Sequence, residues 1–74
     1  MKTPIWKTPK GEIISCVEKI KVMQQNIDEI QSLVQDAFDD GVLMGIDPIQ
    51  LRDFFIQLMS NIENKYDVGR TINV

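Results

Sequence analysis

Apolar residues recur every 3.5 positions through the first half of the chain. With Ile13 as heptad position a, the a residues are Ile13, Ile20, Ile27, Val34 and Gly41, and the d residues are Cys16, Met23, Ile30, Ala37 and Met44. All but Gly41 are apolar. A heptad sustained this long predicts a long helix whose narrow seam packs on another helix. The spacing places this helix over residues 10–44. Thr8 suits an N-cap and Pro9 the first helical position. Gly45 suits the residue just past the end, although Gly41 is an alternative stop.

A second helix is predicted over residues 48–65. Asp47 is an N-cap residue, Pro48 fits the first helical position and Gln50 completes a capping-box pattern. Ile46 and Leu51 stand where a hydrophobic staple needs them. Leu51, Phe55, Leu58 and Ile62 then form one apolar stripe. So short a connection makes the two helices antiparallel neighbours. The fold class is all-α: an antiparallel helical hairpin with a long first helix and a shorter second. Residues 1–8 read as an N-terminal arm, because Pro4 and Pro9 push Thr3 and Thr8 toward extended backbone. Residues 67–74 read as a C-terminal tail.

Length changes this picture. Seventy-four residues form a single domain, and a chain this small buries only about 60% of its unfolded surface. One cysteine, Cys16, permits no intrachain disulfide, and the absence of histidine removes a Cys/His zinc site. Oligomerisation is the remaining source of burial. Folded back from Gly45, the shorter second helix leaves the stripe from Ile13 to Met23 without a partner. The expected result is a homodimer, a four-helix bundle whose interface holds Ile13, Cys16, Val17, Ile20, Met23, Ile27 and Ile30.

Charge adds an orientation. Residues 1–21 carry five lysines against two glutamates. Residues 22–47 carry Asp28, Glu29, Asp36, Asp39, Asp40 and Asp47 with no basic residue. Antiparallel copies set the basic block of each beside the acidic block of the other, whereas parallel copies stack like charges.

Candidate chemistry is sparse. Ser15, Ser32 and Ser60 have no histidine base to activate them. Asp36, Asp40, Gly41 and Asp47 fall at calcium-loop spacing, but Phe38 takes a ligand position and the final glutamate is missing. No cofactor or metal is expected. Cys16 reads as a small core residue. Trp6 either folds back onto the bundle or anchors a partner, and Asp36, Asp39 and Asp40 are a possible docking surface.

These features point to a non-enzymatic protein–protein interaction module: an adaptor, regulator or assembly factor. The alternative is a nucleic-acid-binding regulator using Lys2, Lys7, Lys10, Lys19 and Lys21, against which the net charge of −3 counts. No stretch has the length and hydropathy of a membrane span or a signal peptide, and a lone thiol fits a reducing cytoplasm.

Overall fold

A computed structural model describes residues 1–66 of the chain. The tail expected over residues 67–74 lies outside them. Among the described residues there are two helices, α1 (Val17–Leu43) and α2 (Pro48–Ser60), and no strand. The chain divides into two units. One holds residues 1–31 with residues 65 and 66, and the other holds residues 32–64.

The first unit departs from expectation. The helix expected from residue 10 begins at Val17, and residues 6–14 form a small β-hairpin instead. Lys7 and Ile13 pair antiparallel. The Thr8 N–H donates to the Glu12 carbonyl at 2.8 Å, and the Ile14 N–H donates to the Trp6 carbonyl at 2.9 Å. The Gly11 N–H donates to the Thr8 carbonyl at 2.9 Å, closing the turn. Proline's fixed φ serves the first position of a helix and the second position of a turn equally well. Gly11 decides between them. Its φ of +87° ends a three-residue hairpin loop and cannot begin a right-handed helix. Thr8 does cap, but it caps the turn: its Oγ1 accepts from the Glu12 N–H at 3.1 Å. Ile13 and Ile14, both β-branched, suit the extended leg that follows. The arm therefore extends to residue 16, and α1 starts once the Ile20 N–H donates to the Cys16 carbonyl.

The second unit follows the expected hairpin. The Ile46 N–H donates to the Gly41 carbonyl and the Gly45 N–H to the Val42 carbonyl, both at 3.0 Å, with Gly45 at a φ of +94°. This is a Schellman closure with Gly45 just past the helix end, so Gly41 is not the stop. One residue after Ile46, Asp47 caps α2, its carboxylate accepting from the Gln50 N–H at 3.0 Å. α2 stops at Ser60, short of the expected Lys65. Its last bonds tighten toward i−3 spacing at Asn61 and Ile62, and Ser60 Oγ donates back to the Ile56 carbonyl. Asn61 and Asn64, poor helix formers, add little to prolong it.

Gly41 is where α1 and α2 meet. It is the one buried residue among those described. A Cβ there would stand 2.5 Å from Leu51 Cδ2 and 3.6 Å from Ile46 Cδ1. Both staple residues thus gather over the glycine. Arg52 of α2 lies over the Phe38 ring of α1, 5.4 Å from its centroid.

Candidate interaction surface

Helical periodicity decides which side chains share the face of α1 in the first unit. The a residues Ile20 and Ile27 are half-buried, while Val17 and the d residues Met23 and Ile30 are exposed. Ile13 and Cys16 precede the helix and are also exposed. They hold their heptad spacing in the sequence, but the hairpin leg removes them from the helical seam. The thiol expected in a core is therefore open to solvent.

The chain's own arm supplies part of the cover. Trp6, Ile14, Ile20 and Met23 line one hollow of about 220 Å³, with Lys7 and Lys19 at its border. The stripe from Ile13 to Met23, expected to lack any intrachain cover, is thus partly shielded, because the hairpin turns Trp6 back toward the helix. Ile5, beside Trp6 in the chain, is exposed. The Trp6 Nε1–H is shielded from solvent with no acceptor among the described residues. Leaving a buried donor unpaired costs roughly 1–3 kcal/mol.

Polar contacts tie the start of the arm to α1. The chain's terminal ammonium sits 3.1 Å from Asp28 Oδ1. Gln24 Nε2 donates to the Met1 carbonyl at 2.6 Å and to Asp28 Oδ1 at 3.0 Å. Thr3 Oγ1 donates to Gln24 Oε1 at 3.0 Å. The ammonium first, and Gln24 second, hold the Asp28 carboxyl below its ordinary value of 3.8. The sequence hardly marks this tie. Its only trace in the sequence is that Gln24 and Asp28 are four residues apart on one helix face.

In the second unit Asp36, Asp39 and Asp40 are all exposed on α1. Asp39 Oδ1 accepts from Gln35 Nε2 at 2.9 Å. No basic residue occupies the last turn of α1, and Arg52, the sole basic residue of α2, is placed on Phe38. The calcium spacing is not a loop here, since Asp36, Asp40 and Gly41 are all helical. Among the described residues no group of three Cys, Asp or Glu is arranged to hold a metal ion.

The apolar stripe of α2 divides in two. Leu51 and Phe55 are half-buried, while Leu58, Phe54 and Ile56 are exposed, as is Ile62 just past the helix end. Among the described residues no hydrophobic side chain is buried, and nineteen large ones are exposed. What the chain offers is therefore extended apolar surface bordered by charge. None of its described helices is long and apolar enough to cross a membrane. The chain matches no protein-family model, no curated protein and no solved structure.

Proposed function

We propose that this chain is a non-enzymatic protein–protein interaction module that acts as a homodimer of helical hairpins, its four helices forming a bundle. The observation that supports this most is the missing core. Burying a large aliphatic or aromatic side chain contributes about 1.5–3 kcal/mol, and a folded domain needs about 5–15 kcal/mol in net stability. With every described hydrophobic side chain exposed or half-buried, one copy falls short of that burial. A second copy laid on Met23, Ile30 and the open residues of α2 supplies it. Asp36, Asp39 and the outer side of the arm remain to meet a further protein. The absence of histidine supports the non-enzymatic assignment, and the lone thiol of Cys16 supports a cytoplasmic one.

Sedimentation equilibrium at micromolar concentration tests the dimer. The expected mass is twice the 8.5 kDa of one chain. Ile30→Asp should shift the equilibrium toward single chains. A one-chain mass for the unaltered protein up to high micromolar concentration overturns the reading.

A further inference from the structure

We propose that the second copy lies antiparallel on α1, with its residues 32–40 over residues 17–25 of the first. This rests on the homodimer above and adds its orientation and register.

Each half of α1 has what the other half of a second copy needs. On residues 17–31, Val17, Met23 and Ile30 are exposed between Lys19 and Lys21. On residues 32–44, Leu33, Ala37 and Met44 are exposed beside Asp36, Asp39 and Asp40. Among the described residues, neither these lysines nor these aspartates form an ion pair within the chain. The aspartates also crowd the helix end whose dipole disfavours anions. Among the described residues that conflict stands, because Arg52, the one cation of α2, is placed on Phe38.

The heptad fixes the register. Between antiparallel helices the a residues of one meet the d residues of the other, and g faces g. A two-fold axis between Ile27 and Ile30 brings Ile27 against Ile30 of the second copy and Met23 against Val34. The same axis brings Lys19 against Asp40 of the second copy, since both are g residues, and the symmetry makes this pair twice. A parallel arrangement instead faces g with e, setting Lys19 toward Gln24 and Asp40 toward Gly45 of the second copy, so neither charge meets its opposite.

Single-thiol variants decide the matter. One carries Cys16→Ser with Ile30→Cys, and the other carries Cys16→Ser with Val17→Cys. Both substituted sites are exposed, so the hairpin itself is little disturbed. A short bis-maleimide should join two copies through position 30, beside the axis. It should fail at position 17, whose two copies are separated by roughly 35 Å at 1.5 Å per residue. In parallel, Lys19→Glu should weaken dimerisation about 10-fold at low salt. Mixing it with Asp40→Lys should restore a heterodimer. Cross-linking at both positions means parallel helices and overturns the proposal. A dimer that cross-links at neither position uses another face and also overturns it. A one-chain mass instead brings down the homodimer itself.

Discussion

Leu51 occupies the space that any side chain at position 41 would need: a Cβ on Gly41 would approach Leu51 Cδ2 to 2.5 Å. The glycine thus fits the α1–α2 contact, although it interrupts the apolar heptad. Gly41→Leu should destabilise the hairpin by about 1–3 kcal/mol through overpacking. Gly41→Ala should stay within about 1 kcal/mol of the parent, because alanine's helix propensity offsets the small displacement of a flexible leucine terminus. Urea unfolding followed by circular dichroism separates the two. Equal stability of the leucine variant would contradict the close approach.

Asp47 is the second point on which the hairpin depends. Its carboxylate satisfies the Gln50 N–H at the exposed start of α2. Asp47→Ala should lower stability by about 0.5–2 kcal/mol, and Asp47→Asn should retain most of it. The same unfolding measurement applies, and a loss as large for asparagine as for alanine would rule out capping as the cause.

The indole nitrogen of Trp6 gives a sharper comparison in the arm. Trp6→Phe keeps an aromatic ring against Ile20 and Met23 while removing a shielded donor without an acceptor. It should change arm stability by less than about 1 kcal/mol, since the area lost is offset by the donor removed. Trp6→Ala should expose the arm to limited proteolysis near Lys7 and Lys10. If the phenylalanine variant is cleaved as fast as the alanine variant, the nitrogen has a partner after all.

Acid should release the same arm. The Asp28 carboxyl is held below 3.8 by the chain's terminal ammonium and by Gln24. A carboxyl lowered on folding contributes stability that is present above its unfolded value and lost as pH falls through the folded one. The tie should therefore persist through neutral pH and fail below pH 3.8. Trp6 emission, read as a function of pH, should report that step. Asp28→Asn should flatten it, and an unchanged acid transition in this variant would assign the step to another group.

The sequence shows the helical hairpin far better than it shows the arm. Gly45, Asp47, Pro48 and Gln50 act within a few residues of one another, so their spacing alone specifies the turn. Thr8-Pro9 is different, because the same pair serves a helix start and a tight turn, and only the backbone sign at Gly11 separates them. The heptad marks helical residues from Val17 to Leu43, but the helix it predicts does not reach back to Ile13 and Cys16. Periodicity cannot see that an extended leg has taken over. The tie of Met1 to Asp28 joins residues far apart in sequence through polar atoms, and no hydrophobic pattern records it.

The bonds that form the turn from Gly41 to Leu51 all begin and end within that short stretch. Such local closure needs little chain search, so the turn should form early and in microseconds to milliseconds. Joining two copies is a collision between molecules and must come later. Refolding traces should then resolve a rapid phase indifferent to dilution, followed by one whose rate rises with protein concentration.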